Sequence, residues 1–580
     1  MHLNKLKLLW RPASFGSMRR FGQVTISLAL CSALFGCAGE SGGGGVTGIV
    51  GGFFRDDPAP KQASQTAAPS VVKTVEKGDT VFFGVVVGDE PNAVLAAEKV
   101  LKFGGTAVDA ATVLGLSLTV TMPGAISLGG GGVCLVHDGG KTEALDFIAP
   151  APASPAPGSK TSRTDRPAAV PSLLLGFAAL HARYGSIDFR SHLGKAEQMA
   201  RFGHVMSRAS AKSLALAAGP LFQDPAARQI FTRPDGNPYG EGDTLVQADL
   251  ADTFAQIRIR GVNDLNKGQL ARRFVLAAQK AGAGLSESDL RSFAPQWRKP
   301  LELSYGAEIL KFTPPPAGAG LTVERILAMA ALDDRYKRSN DADRLHLLIE
   351  ASKRAFGARD DAMFDGGSGA SDAVRMMAGF NAARATPTQR LAPLPRGIAE
   401  NPAQTTFVVV DLVGQAVVCS LTNYNLFGVG RVAPGFGVVL AAAPGRGNRN
   451  ALSLGAMIAV TRDDQAFRFA GAASGGGAAA TALARVAAET LFSEKTLERA
   501  IALPRVHHGG IPDAALVEVS LPKGVSGNLR AKGHRIETAP SLGRVNAAEC
   551  PLGLNAGSEE IACFVAADPR GNGLASEAER

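Results

Sequence analysis

The chain reads as a layered α/β (α+β) protein, and three observations carry that reading. Strand-like runs stand at both ends of its patterned part, at Thr80-Val81-Phe82-Phe83 and at Thr405-Thr406-Phe407-Val408-Val409-Val410. The stretch between about residues 170 and 380 is patterned mostly as helix. Glycine is abundant (68 residues) and aromatics make up only 6%, which suits close-packed helices and tight turns. Strands on both sides of a helical middle bury their sheet faces against helices, which gives layers. Length alone, 580 residues, allows three or four domains or one large sandwich. The net charge of +9 is scattered, with no Lys/Arg block interleaved with aromatics, so nucleic-acid binding is not expected.

Residues 1–37 read as an export signal. Arg19 and Arg20 form a positive region, and Val24 to Phe35 an apolar stretch too short to span a bilayer comfortably. The stretch ends Leu34-Phe35-Gly36-Cys37, similar to a bacterial lipobox, with Cys37 as the lipidated first residue. Met18 is an alternative start. Ala38 after the cysteine points to the periplasmic face of an outer membrane, with several acyl chains anchoring stably. A plain cleaved signal and a soluble periplasmic protein are the alternative. Residues 38–75 are rich in Gly, Ser, Pro and Ala and read as a flexible tether.

Order is expected from Thr80. Pro91 to Phe103 reads as a helix with Pro in its first turn and Gly104-Gly105 as its stop, and Ala107 to Thr119 as a buried helix of small apolar residues. Strands follow at Val133 to Val136 and Ala144 to Phe147, around the turn Asp138-Gly139-Gly140. Helices are expected at Pro171–Tyr184, Leu193–Phe202, Gln247–Arg260, Arg344–Phe356 and Ala479–Leu491, and a strand pair within Leu301–Phe312. Gly366 to Pro402 has little apolar periodicity and reads as a mobile linker. Asp411-Leu412-Val413-Gly414 reads as a hairpin turn. Of the four cysteines after residue 37, Cys550 and Cys563 flank a short polar segment, and an oxidising compartment permits a disulfide there. No metal site is implied: the cysteines lack ligand spacing and His507 and His508 are adjacent. Gly129 to Gly132 lacks the Lys-Ser/Thr of a phosphate loop, so no nucleotide cofactor is expected.

Asn401-Pro402-Ala403-Gln404 runs abruptly into the strand that opens with Thr405. A cut between Gln404 and Thr405 would give that threonine a free α-amine beside its own hydroxyl, nucleophile and base in one residue. Without a cut, the same residues are an ordinary strand start.

Motifs in order from about residue 80 to 515 then resemble the γ-glutamyltranspeptidases (glutathione hydrolases), which are N-terminal-nucleophile hydrolases. They include Gly104-Gly105-Thr106-Ala107-Val108-Asp109, Ser127-Leu128-Gly129-Gly130-Gly131-Gly132, Leu145-Asp146-Phe147, Pro314-Pro315-Pro316-Ala317-Gly318, Phe427-Gly428, Gly475-Gly476 and Pro504-Arg505-Val506-His507. The resemblance implies a four-layer αββα sandwich and self-cleavage into a large fragment (76–404) and a small one (405–580) that stay together. It implies Thr405 as nucleophile, Thr422 as its assistant, and the Gly475 and Gly476 N–H groups as an oxyanion site, a contribution of about 3–4 kcal/mol in other hydrolases. The substrate would be a small-molecule amide or peptide, with no cofactor.

The departures concern the substrate. Ile148 stands where the family's Arg grips the glutamate α-carboxylate, and an apolar side chain cannot replace a guanidinium fork. Tyr424 replaces the family's Asn, flanked by Asn423 and Asn425. Ala441-Ala442-Ala443-Pro444 replaces the segment that holds the α-amine, and of two paired serines only Ser453 remains, followed by Leu454. Glutathione is therefore expected to be a poor substrate. The strand is also one residue short: without a gap, Gln404 falls on the nucleophile position. A deletion within Val408–Val410 would restore Thr405. A self-processing amidase with an altered acyl pocket is one reading; a lipid-anchored binding or scaffold protein that keeps the fold without the chemistry is the other.

Overall fold

The computed structural model describes residues 76–77, 80–153, 167–358, 370–386, 402–445 and 450–580. The expected export signal, Cys37 and the expected tether lie outside them. The described residues belong to one compact unit, Val72–Arg580, and no helix among them is long and apolar enough to cross a membrane.

The principal strands, in chain order, are β1 (Thr80–Gly88), β2 (Gly131–Asp138), β3 (Lys141–Phe147), β4 (Gln296–Arg298), β5 (Leu301–Tyr305), β6 (Glu308–Phe312), β7 (Gln404–Asp411), β8 (Ala416–Thr422), β9 (Ala456–Thr461), β10 (Phe467–Ser474), β11 (Arg544–Leu554), β12 (Phe564–Ala566) and β13 (Leu574–Glu579). One sheet has the order β1-β7-β8-β2-β3-β4, with β13 and the two-residue strand Glu76–Lys77 also pairing with β1; the other runs β12-β11-β10-β9-β6-β5. Each contains strands from both sides of position 404. The segments before and after position 404 are thus interleaved parts of one body.

The principal helices are α1 (Pro91–Lys102), α2 (Ala107–Thr121), α3 (Leu173–Tyr184), α4 (Phe189–Phe202), α5 (Ala248–Arg260), α6 (Gly318–Ala331), α7 (Asp341–Gly357) and α8 (Ala478–Ala487). Three cores separate the four layers. Alternate residues of β7 show this: Phe407 and Val409 pack in the core with α1 to α5, while Val408 and Val410 pack in the core between the sheets with Ile458, Ala470 and Ala548. The third core holds α6, α7 and α8 against the second sheet.

The helix at Ala107 is buried along its whole length, as its small apolar residues require, and Thr106 and Asp109 form a reciprocal capping box at its start. Glycines 129–132 serve packing: a Cβ on Gly131 would lie 2.2 Å from Ser172 Oγ. The expected linker from Gly366 is corrected in part. Ala370–Met376 is a helix, Met377 is buried, and Lys353 Nζ donates to the Thr386 carbonyl at 2.8 Å. Packing, not periodicity, holds this glycine- and serine-rich stretch; residues 387–401 lie outside the described set.

Cys550 and Cys563 form a disulfide. A second, which the sequence did not suggest, joins Cys134 on β2 to Cys419 on β8. These residues stand directly opposite in the ladder, close enough for a bond once the strands pair.

Candidate active site

The site is built at the start of β7. Asp411 fixes the far end of that strand: its Oδ2 accepts from Ala107 N, the first residue of α2, at 2.9 Å, and its Oδ1 from Val413 N and Gln415 N in the hairpin turn. Burial pushes its carboxyl up to about 6, against these hydrogen bonds. From there the ladder with β8 runs unbroken from Val410↔Ala416 to Gln404↔Thr422, and the ladder with β1 is equally regular. The deletion expected within Val408–Val410 has no counterpart as a bulge or register shift.

Strand alternation then decides which side chains face the second sheet. Gln404 and Thr406 do. Thr405 faces the helices, and its Oγ1 is buried without a hydrogen-bond partner. Gln404 Nε2 donates to Ser420 Oγ (2.9 Å), the Ser453 carbonyl (2.9 Å) and the Ala473 carbonyl (3.0 Å). Two and three residues beyond Ala473 stand Gly475 and Gly476, with φ of 119° and 70°. A Cβ on Gly475 would lie 2.8 Å from the Gly543 Cα. The pair leads into α8, where backbone N–H groups lack intrahelical acceptors and the helix dipole favours negative charge. The glycine pair thus follows closely on the Ala473 carbonyl that Gln404, at the start of β7, reaches.

Thr422 Oγ1 donates to the Ala403 carbonyl at 2.6 Å and accepts from Tyr424 N at 2.8 Å. It grips the peptide before Gln404, one peptide earlier than the expected cut. Asn423 is engaged by the scaffold: its Oδ1 accepts from Ser127 N and Oγ, and its Nδ2 donates to the Pro123 carbonyl. It does not line the adjacent cavity. Tyr424 does, with a φ of 63° and its hydroxyl on the Ala149 carbonyl at 2.8 Å; burial holds its phenol well above the usual range. This cavity, of about 610 Å³, is lined also by Ile148, Pro444 and Ala451. Ser453 meets Gln404 through its carbonyl, at the end of the Ala451–Ser453 turn.

A buried network beside these residues has no counterpart in any sequence motif. Asp89, just after β1, accepts from Thr406 N (3.1 Å), Ser474 Oγ (3.3 Å) and Asn546 Nδ2 (2.9 Å). Asn546 Nδ2 also reaches Thr406 O and Oγ1, both at 3.0 Å. The network ties β7 to β10 and β11 next to the glycine pair.

Among the described residues, Asp109, His181 and His192 have ligand-type atoms within 4.8 Å of one another. Both Asp109 oxygens already accept protein donors, from Thr106, Ser186, Ile187 and His192. Burial raises the Asp109 carboxyl, but His181, His192 and Ser186 outweigh it and hold it far below the usual range. Burial works against charge on His181, yet Asp109 raises it above an ordinary imidazole. The cluster is an internal hydrogen-bonded ion-pair group. His507 and His508 diverge, to Thr481 Oγ1 and Asp513.

Two facing sheets between helical layers form the αββα sandwich of the N-terminal-nucleophile hydrolase fold. The gamma-glutamyltranspeptidase profile matches residues 93–578, and the chain belongs to this family of hydrolases and acyltransferases. The glutathione hydrolase proenzyme of Escherichia coli (strain K12) is 28% identical over 504 residues, 79% of this chain and 87% of that protein. The acylase ACY 1 proenzyme of Pseudomonas sp. (strain SE83) is 28% identical over 513 residues, 80% and 89% of the two chains. The crystal structure of cephalosporin acylase from Bacillus halodurans superposes with a TM-score of 0.71 at 20% identity, covering 88% of this chain and 99% of that one, a likeness of fold.

Proposed function

We propose that this protein is a self-processing amide hydrolase or acyltransferase with Thr405 as nucleophile, acting on an acyl donor other than a free γ-glutamyl group. The observation that carries the reading is the hydrogen bond from Gln404, the residue before Thr405, to the Ala473 carbonyl, two residues before Gly475. In processing, Thr405 Oγ attacks the Gln404 carbonyl carbon as its peptide nitrogen leaves. Water then opens the resulting ester, leaving a Gln404 carboxylate and a Thr405 α-amine. This shift is local to one residue and does not depend on which sheet face the side chain occupies. Once terminal, Thr405 is free to turn about its Cα–C bond, and a turn of about 120° carries the side chain into the place the amine held and the amine into the place of the Cα hydrogen, by tetrahedral geometry. The hydroxyl then lies where the chain formerly continued toward Gln404. In turnover Oγ attacks the donor amide carbon, and the amine, with an ordinary pKa near ~8, takes the proton and passes it to the leaving amine. Water or an acceptor amine removes the acyl group. Export through residues 1–37 and lipid attachment at Cys37 complete the proposal, and Cys37→Ala would release the protein from the membrane fraction.

A second reading rests on one observation. The side chain that the unbroken ladder places toward the second sheet is Gln404, held by three hydrogen bonds, and glutamine is no nucleophile. The chain would then stay whole, as a binding or scaffold protein. Denaturing, reducing electrophoresis with intact mass measurement separates the readings. Two fragments divided between Gln404 and Thr405, and one chain in Thr405→Ala, support the enzyme. One chain in the wild type sinks it. Hydrolysis of γ-glutamyl-p-nitroanilide as efficient as by the glutathione hydrolases would refute the altered specificity.

A further inference from the structure

We infer that the outer face of α1, with the adjoining residues Phe202, Val205 and Val246, docks on an anionic phospholipid surface. The inference goes beyond the proposed reaction. It shares with that reading only the lipid attachment at Cys37, which would bring this face to a membrane.

The apolar side chains come first. Phe103, 77% exposed, caps the end of α1, and Phe202, 75% exposed, is the last residue of α4. Leu95, Val205 and Val246 are exposed as well. These residues adjoin one another. Asn92, in the first turn of α1, donates from Nδ2 to the Val205 carbonyl at 3.1 Å. Val205 pairs with Thr244, two residues before Val246. A Cβ on Gly203, next to Phe202, would lie 3.0 Å from Val246 Cγ2. On α1 itself Leu95, Lys99 and Phe103 recur every fourth residue, which keeps them on one side of a helix. With 12 residues in α1, that side runs for about 18 Å. Single exposed apolar side chains are ordinary, but a joined set along one face marks an interaction site.

Charge comes second. Lys99 and Lys102 stand in the last turn of α1, and the Arg580 guanidinium lies 5.6 Å from the centre of the Phe103 ring. Lys102 is paired to Glu98 at 2.6 Å, and Arg201, just before Phe202, to Asp252 at 2.9 Å. The acids of the adjacent strand point elsewhere: Glu577 and Glu579 alternate along β13 with Ala578, which packs in the core that α1 covers. The end of α1 is thus positive, with Lys99, Lys102 and Arg580 set against Glu98. Aromatic and aliphatic side chains flanked by Lys and Arg suit a bilayer interface. The carbon enters the headgroup boundary while the cations meet lipid phosphates.

The course of the chain comes third, and it selects the membrane as occupant. Val81 N donates to the Arg580 carbonyl at 2.9 Å, and Arg580 N to the Val81 carbonyl at 3.1 Å. The chain from Cys37 therefore reaches the body beside Arg580 and Phe103. An acyl anchor at Cys37 would keep this face near the bilayer at a high effective concentration.

The test is sedimentation with lipid vesicles, using the mature chain from Ala38 onward without an acyl group. The vesicles are phosphatidylcholine alone or an equimolar mixture with phosphatidylglycerol. The expected result is saturable binding to the mixed vesicles, at least tenfold weaker on phosphatidylcholine alone and weakened by salt. Phe103→Ser combined with Phe202→Ser should weaken binding tenfold or more, and so should Lys99→Glu combined with Arg580→Glu, with melting temperatures close to the parent's. Tryptophan reporters locate the contact. Phe103→Trp and Phe202→Trp should shift emission to the blue on binding, measured against the parent, and Val519→Trp, exposed next to the third core, should not. Binding that both double substitutions leave unchanged overturns the inference, since another part of the chain would then hold the lipid. So does an absence of binding, or equal binding to the two vesicle types. A dimer in sedimentation velocity that Phe103→Ser with Phe202→Ser dissolves also overturns it, for a second copy would then cover the face. Failure of the Cys37 reading looks different: the expected vesicle pattern, but a full-length product whose intact mass shows no lipid on Cys37.

Discussion

Asp89→Ala tests the network that aligns the β7 start with the glycine pair. The carboxylate is 6% exposed and accepts three donors, the Thr406 N–H, the Ser474 hydroxyl and the Asn546 amide. The losses are unequal. Asn546 Nδ2 keeps Thr406 O and Oγ1, and the Ser474 hydroxyl can rotate. The Thr406 N–H, fixed in the strand, is left buried without an acceptor. Hydrogen bonds to a charged group are worth about 1.5–3 kcal/mol, and an orphaned buried donor costs about 1–3 kcal/mol. With two of the three interactions partly recovered, the total comes to about 4 kcal/mol. If a folded body of roughly 500 residues melts as one unit, an unfolding entropy of about 2.1 cal/mol/K per residue turns that into a fall of about 4 °C. Differential scanning calorimetry of parent and variant, with intact mass recorded for both so that like is compared with like, reads this directly. Asp89→Asn keeps one acceptor oxygen and should lose about half as much. A shift below 1 °C in Asp89→Ala would refute the argument, for the network would then add nothing to the alignment.

Other outcomes follow from the same structure. The Glu549 carboxyl is pushed up to about 7, first by burial, with Arg468 opposing and Glu308 adding. A folded value above the unfolded one gives stability that is full below about pH 4.5 and is lost as pH rises through about 7. Glu549→Gln should therefore match the parent at pH 4 and exceed it by about 3 kcal/mol at pH 8, at about 1.4 kcal/mol per pH unit; parallel melting curves across that range would contradict this. Asp568→Ala strands the guanidinium of Arg505, which is 1% exposed and paired to it, and should cost about 3–5 kcal/mol in urea unfolding. Gly475→Ala places a side chain at a φ of 119°, 2.8 Å from Gly543 Cα, and should lower stability by about 1–3 kcal/mol while displacing the donor pair. Retention of full stability would show that the loop relaxes freely.

Much of the architecture was legible because it is local. Pro91 and the Gly104-Gly105 stop bracket α1, small apolar residues mark α2 as buried, and β-branched runs mark β1 and β7. The short helices between 208 and 231 (Arg208–Leu221 and Pro225–Phe231) lack strong periodicity and were not singled out. What sequence reasoning missed is set by distant pairing. Asp89 meets Thr406 across 317 positions, and Cys134 meets Cys419 across 285. The facing of Gln404, Thr405 and Thr406 depends on the ladders with β8 and β1 together with the Asp411 anchor, none of which strand propensity reveals. The cavity beside Tyr424 was partly visible, since Ile148 and Tyr424 already replaced polar residues of the family pattern. The scaffold partners of Asn423, Ser127 and Pro123, belong to a loop nearly 300 positions away.

The Cys134–Cys419 bond changes the molecularity of the folded protein. It joins a residue before position 404 to one after it, so opening the peptide at Thr405 would yield a single covalent molecule, not a pair of subunits in equilibrium. Dilution could not separate the pieces, and refolding would remain first order in protein. In the uncut chain the same bond closes a loop of 285 positions, a constraint on the unfolded ensemble of about 5–6 kcal/mol in the chain-entropy model. In a cut chain that role disappears and the bond acts as a tether, raising the effective concentration of one half about the other.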